Sequence, residues 1–386
     1  MPVQKVHANR SCNDLQVRTQ CKLTWRWEII VGVIHSRIKH EKNMLCRDLA
    51  VRFSFGLLFF SQGVSSGIAI SGERPEGEAR IVRLAKRFDA IVPKDALVEK
   101  IADGFAWVEG PAWNRKGRFL LFSDIPNNSI FMWKEGKGVS LFMKPSGYTG
   151  NEPFTGREPG SNGLTFDPDG RLVICEHGDR RITRVEADGT KKVLVDRFGG
   201  KRLNSPNDAV FKSNGDMYFT DPPFGLPKAF DDPARELDFC GVYRLRTDGT
   251  LTLLTRELMA PNGIAFSPDE KMLYVSDSGK RIWMAFDVNS DGTIGNGRVL
   301  LEASEPEKNK PGVPDGLKVD HLGNLIGGAP GGLHVIAPDG QLLGLFDFGV
   351  ATGNCTWGED GSTLFITSNT SVYRVRLNTH GATFLK

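Results

Sequence analysis

The chain has 386 residues and a formal net charge of +3, and its 40% of hydrophobic residues allow a large core without disulfides. Ten lysines and arginines against four acidic residues fall in positions 1–71, so residue 72 onward carries a net charge of −3. A mildly acidic body lacks the basic surface that nucleic acid requires, which favours small-molecule partners and no nucleic acid. The six cysteines have neither a disulfide-framework nor a zinc-site spacing.

The first 71 residues lie outside any repeat and divide into two predicted segments. From Met44, basic residues precede the apolar run 53–60, and small residues follow it. This order is typical of a secretory signal peptide, and the run is too short to span a bilayer as a stable helix. We predict a signal peptide at 44–71, with 1–43 an upstream artefact of start-site choice; a disordered or membrane-associated arm is the alternative. The processed protein would be periplasmic or secreted without a stable membrane anchor, and otherwise cytoplasmic.

After a predicted linker at 72–87, a short polar phrase recurs along residues 88–386. Each copy precedes turn residues and runs of β-branched and aromatic residues that predict further strands. The copies are Ser161-Asn162-Gly163-Leu164, Pro206-Asn207-Asp208-Ala209, Pro261-Asn262-Gly263-Ile264 and Pro314-Asp315-Gly316-Leu317, with looser ones at Glu109-Gly110-Pro111 and Asn354-Cys355-Thr356. Their spacing is that of propeller blades. We predict an all-β fold, a six-bladed β-propeller with four-stranded blades, in which 96–101 supplies the outer strand of the last blade.

The second position of each copy carries a polar side chain. Because the first strand of every blade lines the central channel, these side chains should converge at one mouth of that channel. They are Glu109, Asn162, Asn207, Asn262, Asp315 and Asn354. Two carboxylates and four carboxamides in one small space are costly unless a ligand satisfies them, and an oxygen-only donor set favours calcium over zinc, with magnesium or manganese as alternatives.

Turn formation is the competing interpretation of these copies. Asn-Gly and Asp-Gly pairs start turns without any function, because both residues tolerate left-handed backbone and bond their own main chain. Glu109 is not a turn former, however, and Asp315 is the only acid among the Pro-x-Gly copies. As a set, the residues therefore indicate a metal site more strongly than turns, although many propellers are only binding platforms.

These motifs, in this order and spacing, resemble the gluconolactonase and regucalcin (senescence marker protein) family. The resemblance extends from about Phe105 to Arg376, and bacterial gluconolactonase-like members are also similar at Cys175-Glu176-His177-Gly178 and at 218–223. It implies a six-bladed propeller that holds one divalent ion and hydrolyses sugar lactones. The residues implied as metal ligands are Glu109, Asn207, Asn262 and Asp315. The acid matching Asp315 is also the proton donor and acceptor in family members.

One position departs from the family, and several residues outside the ring are weaker candidates. Animal regucalcins have a substrate-contacting arginine where this chain has Ser205, which leaves the sugar specificity open. His177 follows a second strand and is predicted to orient substrate, beside Asn162 and Asn207, or to cap a strand. Arg180 and Asp221 are further candidates, and the loop 147–157 is either a lid over the mouth or an exposed turn.

The sequence therefore predicts an exported, metal-dependent lactonase acting on an aldonolactone such as gluconolactone. Calcium is the favoured cofactor, with magnesium, manganese or zinc as alternatives, and Asp315 is the catalytic residue. Two other functions remain open: hydrolysis of another ester or a phosphotriester on the same ion, and a non-catalytic propeller stabilised by calcium.

Overall fold

The computed structural model describes residues 79–303 and 309–382, so the predicted segments 1–43 and 44–71 lie outside the described residues. Antiparallel strands are the main secondary structure of the described ranges 79–303 and 309–382. The only helices within these ranges are α1 (Phe88–Ile91) and a 3-10 turn at Ala229–Asp231. No helix within these ranges is long and apolar enough to cross a membrane.

Six antiparallel blades confirm the predicted six-bladed β-propeller, in which blades 1 to 4 are meanders of four strands and blades 5 and 6 each gain a strand from the N-terminal side. From inner to outer strand, blade 1 consists of β3 (Val108–Asn114), β4 (Phe119–Asp124), β5 (Ser129–Lys134) and β6 (Gly138–Met143). Blade 2 consists of β7 (Ser161–Phe166), β8 (Leu172–Glu176), β9 (Arg181–Val185) and β10 (Lys191–Val195). Blade 3 consists of β13 (Ala209–Phe211), β14 (Met217–Asp221), β15 (Gly241–Leu245) and β16 (Leu251–Thr255). Blade 4 consists of β17 (Pro261–Phe266), β18 (Met272–Asp277), β19 (Ile282–Val288) and β20 (Ile294–Glu302). Blade 5 contains β21 (Leu317–Val319), β22 (Leu325–Ala329), β23 (Gly332–Ile336) and β24 (Leu342–Asp347). Blade 6 contains β25 (Thr352–Gly358), β26 (Thr363–Ser368) and β27 (Ser371–Arg376). A two-stranded hairpin, β11 (Arg197–Phe198) and β12 (Lys201–Arg202), connects blades 2 and 3.

The ring is closed by a strand from the beginning of the propeller. β2 (Glu99–Ala102) pairs antiparallel with β27 and becomes the outer strand of blade 6, as predicted from 96–101. The inner strands of neighbouring blades contact one another all the way round, including β25 against β3. Closure therefore brings the first and last repeats side by side.

Apolar side chains fill all six gaps between neighbouring blades. Trp113 of blade 1 stacks on Phe365 of blade 6, for example, with ring centroids 5.2 Å apart. Each of the other five gaps holds its own buried cluster contributed by both flanking blades. These stacked faces supply the hydrophobic stabilisation that fixes the inner strands at a short distance from one another.

The predicted boundary of the propeller at residue 88 is wrong. β1 (Arg80–Arg83) lies inside the predicted linker 72–87 and pairs antiparallel with β24, which gives blade 5 a fifth strand. The side chains of Phe88, Ile91 and Val92 then enter the apolar cluster between blades 5 and 6. A short edge strand such as β1 has too few residues for its alternation to be read from the sequence.

Phe88 should be one of the main anchors of this N-terminal segment. The side chain is fully buried, and its ring centroid lies 6.3 Å from that of Phe346 in blade 5. We expect Phe88→Ala to lower the free energy of unfolding by about 3–5 kcal/mol, because it empties a packed site. Leu97→Ala is the matched control, since Leu97 is 82% exposed. Denaturant unfolding measures both variants, and an equal effect would contradict the anchoring role.

Candidate metal centre and active site

The six ring residues lie at the inner edges of six different blades. Four are within inner strands, and Asn207 and Asp315 come two residues before theirs. Five of the six are buried, whereas Asp315 keeps partial exposure to solvent. Asp315 is thus the ring carboxylate that can meet a molecule entering from outside.

Four of the ring residues influence one another's ionisation. The Asn354 amide lowers the pKa of Glu109, and the Asn262 amide lowers that of Asp315. The charge of Glu109 raises the pKa of Asp315. The Nδ2 atom of Asn207 is buried and makes no hydrogen bond. The roles of these residues as metal ligands and catalytic groups stay predictions.

Burial and neighbouring negative charges disfavour ionisation of both carboxylates. Burial raises the pKa of Glu109 to about 8, with smaller contributions from the charges of Asp208 and Glu158. Burial also raises the pKa of Asp315 well above its usual range, and the Glu109 charge raises it further. A divalent cation between them would reverse this effect, because an opposite charge favours the ionised form.

The donor set fits a hard cation held by carboxylate and amide oxygens. Within the described ranges, no three His, Cys, Asp or Glu side chains cluster closely enough to hold a metal. The available ligands are therefore two carboxylates, from Glu109 and Asp315, together with the carboxamides of Asn207 and Asn262. Calcium and magnesium accept such ligands, whereas zinc usually takes histidine or cysteine.

The glycine after most ring residues is required by close packing of neighbouring inner strands. A Cβ at Gly110 would lie 1.9 Å from the Asn162 carbonyl oxygen, and one at Gly316 would lie 2.0 Å from Cγ of Asn354. A Cβ at Gly163 or Gly263 would lie 2.5 Å from a main-chain oxygen of the next blade. Asn162 and Asn262 both lie within strands, so the turn interpretation is wrong for these two copies.

The ends of the second strands support the ring, which the sequence reasoning missed. A hydroxyl at each of three strand ends donates to a main-chain oxygen of the next blade's repeat: Ser123 to Asn162 (2.8 Å), Thr220 to Asn262 (2.6 Å) and Ser276 to Asp315 (2.6 Å). The aspartate that follows each hydroxyl accepts main-chain N–H groups from the segment leading into its own blade's repeat: Asp124, Asp221 and Asp277. The recurring Ser-Asp or Thr-Asp pair is visible in the sequence and could have signalled this role.

Asp208 and Lys318 are also buried or half-buried beside the ring, and the sequence reasoning assigned them no role. Lys318 Nζ lies 3.6 Å from Oδ2 of Asp208 and donates to Oδ1 of Asn354 at 3.4 Å. Burial raises the pKa of Asp208, whereas the Lys318 charge lowers it. Asp208 stands where the other copies have glycine or cysteine, and that irregularity was the available signal. The lysine ammonium thus offsets an additional negative charge next to the proposed metal ligands.

His177 lies beside the connection between blades 1 and 2, and neither nitrogen of its imidazole makes a hydrogen bond. Its side chain is fully buried, and its Nδ1 atom is 2.9 Å from Oε2 of Glu158, at an angle too poor for a hydrogen bond. Nε2 is buried without a partner. The imidazole of His177 therefore caps no strand by hydrogen bonding. The main-chain N–H of His177 instead donates to the carbonyl of Gly160 at 3.1 Å.

Arg180, Asp221 and Ser205 shape the segment that carries Asn207. Arg180 Nε donates to the carbonyls of Leu203 (2.8 Å) and Asn204 (3.0 Å). Asp221 accepts the N–H groups of Asn204 and Ser205, and burial raises its pKa to about 7. Ser205 Oγ donates to the carbonyl of Pro222 at 2.6 Å and accepts from the N–H of Gly225 at 2.9 Å. Ser205 therefore anchors the long connection 222–240. Its side chain is buried, whereas an arginine that contacts substrate must be accessible.

Comparison with known proteins identifies relatives along most of the propeller. Residues 107–370 match the SMP-30/Gluconolactonase/LRE-like region. A gluconolactonase of Zymomonas mobilis is 43% identical over 314 residues, which cover 78% of this chain and 87% of that protein. An L-arabinolactonase of Azospirillum brasilense is 32% identical, with coverage of 67% and 80%. Among solved structures, a gluconolactonase of Xanthomonas campestris is 36% identical, covers 79% of this chain and 99% of its own, and superposes with a TM-score of 0.67.

Proposed function

Because the chain belongs to the SMP-30/gluconolactonase/LRE-like family, we propose that it hydrolyses a sugar lactone to the aldonic acid. The relatives named as gluconolactonase and L-arabinolactonase support this reaction class. The single observation that carries the proposal is the pair of Glu109 and Asp315 carboxylates, held next to each other among carboxamides with only Asp315 partly exposed.

The proposed cofactor is one divalent cation, with calcium favoured over magnesium, manganese and zinc. Glu109, Asn207, Asn262 and Asp315 would hold it. When bound, such a cation polarises the lactone carbonyl and lowers the pKa of water at the site. Asn262 is positioned for this role by a chain of hydrogen bonds, because its Nδ2 atom donates to Ser278 Oγ at 3.1 Å and that hydroxyl donates to the Pro314 carbonyl at 2.7 Å.

Asp315 is the group that moves the proton. As a carboxylate it takes a proton from the attacking water while the new bond to the lactone carbonyl carbon forms. It returns that proton to the ring oxygen when the bond between carbonyl carbon and ring oxygen breaks, so the aldonic acid is released with its hydroxyl restored. Partial exposure lets Asp315 reach substrate, and its Oδ1 atom accepts the main-chain N–H of Gly316 at 3.0 Å.

The proposal includes export of the protein. The support is the order of basic, apolar and small residues at 44–71 in the sequence. Sequencing the N-terminus of protein recovered from the periplasm or medium tests this, and a mature chain that still begins before Met44 in the cytoplasm would contradict it.

A substrate panel tests the reaction class. Proton release by the purified protein should exceed the spontaneous rate on glucono-, galactono- or xylonolactone. The same protein should show little activity on an aryl phosphotriester or on a simple aryl ester. Turnover of the phosphotriester alone would favour the rival hydrolase function, and turnover of none of these compounds despite metal binding would favour the non-catalytic propeller.

A further inference from the structure

The side chain of Asp208 reaches across the central channel to two blades that are not neighbours of its own. Asp208 precedes β13 of blade 3, whereas Lys318 lies in β21 of blade 5 and Asn354 in β25 of blade 6. Asp208 Oδ2 lies 3.6 Å from Lys318 Nζ and accepts from Nδ2 of Asn354 at 3.4 Å. The inner strand of blade 3 adjoins those of blades 2 and 4, so these contacts form across the channel.

The ammonium group of Lys318 faces three oxygen atoms of different kinds. Besides its ion pair with the Asp208 carboxylate, it donates to the carboxamide oxygen of Asn354 at 3.4 Å and to the main-chain carbonyl of Leu317 at 3.1 Å. Asp208 and Asn354 are buried, and the lysine side chain keeps 26% exposure. Carboxylates, carboxamide oxygens and carbonyls are the ligands that calcium takes in proteins. The ammonium group thus lies among a set of oxygens that would suit a hard cation.

The hydrogen bonds of Asn354 fix which end of its carboxamide faces the ammonium group. Its Oδ1 atom accepts the main-chain N–H of Cys355 at 2.8 Å as well as the lysine donor. With the carboxamide reversed, its NH2 group would face two donors and its oxygen would face the Asp208 carboxylate. The oxygen of Asn354 is therefore directed at Lys318, which agrees with the place of Asn354 outside the four proposed metal ligands.

We propose that the Lys318 ammonium is a built-in counter-ion that fills a second cation site of the channel, so that the channel takes one exchangeable divalent ion and not two. A buried carboxylate that loses its charged partner is strongly destabilising. Without the ammonium, the oxygens of Asp208, Asn354 and Leu317 are open to a hard cation, and water completes the roughly six to eight oxygen ligands of calcium. The inference goes beyond the proposed reaction, because it concerns how many ions the channel takes.

Replacing Lys318 by methionine should add one calcium ion to the number that the chain binds. Methionine keeps an unbranched side chain but has no charge, so the three oxygens lose their cation. Titration calorimetry of the chelated full-length protein with calcium chloride counts the ions in Lys318→Met and in wild type. The melting temperature of the chelated variant should lie about 5–10 °C below that of chelated wild type, because Asp208 is left buried without its partner. Saturating calcium should recover most of that difference.

Two further variants serve as controls. Lys318→Met combined with Asp208→Asn removes both charges, so this protein should bind as many ions as wild type. Lys271→Met is the matched single control, because Lys271 pairs with Asp269 at 3.8 Å and its side chain is 80% exposed. It should equal wild type in both the ion count and the melting temperature.

An unchanged ion count in Lys318→Met would overturn the inference. A loss of stability that saturating calcium does not recover, including a variant that stays unfolded while the double variant folds, would overturn it as well. The result is a difference between variant and wild type and requires no turnover. A wild type that hydrolyses no sugar lactone would therefore count against the proposed function alone.

Discussion

Replacing Asp315 by asparagine should reduce kcat on a sugar lactone by about 10²–10⁴-fold while the protein still binds a divalent cation. The asparagine keeps an oxygen ligand and nearly the same volume, but it cannot accept or return a proton. Asp315 is also the one ring carboxylate with partial exposure, so the loss should appear in the chemical step. Initial rates above the spontaneous background give kcat, and titration calorimetry gives the number of ions bound.

Asp339→Asn provides the control for this substitution. Asp339 is exposed and pairs with Arg87 at the rim of the propeller, so its turnover should equal that of wild type. Wild-type turnover in Asp315→Asn would remove Asp315 as the base. Loss of both turnover and ion binding would assign Asp315 a role as metal ligand only.

The metal-free protein should become less stable as pH rises from about 4.5 to about 8. The pKa of Glu109 is raised from 4.5 to about 8 by burial. Below about pH 4.5 the carboxyl is protonated in both folded and unfolded chains. Between these values only the folded chain holds the proton, so the free energy of unfolding falls with rising pH. The total loss is on the order of several kcal/mol, since one pKa unit corresponds to about 1.4 kcal/mol.

A bound divalent cation should oppose this trend, because it stabilises the ionised carboxylates in the folded chain. Melting temperatures of chelated protein at pH 5 and pH 8, with and without added calcium, measure both effects. Glu109→Gln should reduce the pH dependence of the chelated protein, as glutamine does not titrate. A chelated wild type that gains stability between pH 5 and pH 8 would contradict the assignment.

The repeat in the sequence was enough to predict the blade count and the closure of the ring. The repeat specifies inner strands directly, because ring residues, glycines and apolar pairs recur at one position of each blade. Strand β1 was missed because four half-exposed residues, Arg80–Arg83, have no distinctive alternation and form a strand only by pairing with β24. Outer edges of blades depend on tertiary pairing more than on local pattern.

Sequence reasoning could group side chains inside the repeat but not those outside it, and the roles of the grouped residues stay predictions. Asn262 and Asp315 could be grouped because they hold the same position in their blades. The path of the connection 144–160 could not be foreseen, since it depends on tertiary hydrogen bonds to Asn128 and Ile125. Asp208 was passed over because it directly follows a ring residue, in a position that glycine occupies in neighbouring copies. Ser205 shows the reverse case, where a departure from the family pattern proved to have a structural role.

Metal-restored hydrolysis of gluconolactone by the chelated protein tests the central claim most directly. Turnover should fall to the spontaneous rate after chelation and return when calcium, magnesium, manganese or zinc is restored at one ion per chain. Full turnover in the chelated protein, or no turnover with any of these ions despite stoichiometric binding, would contradict a metal-dependent sugar lactonase built on Glu109, Asn207, Asn262 and Asp315.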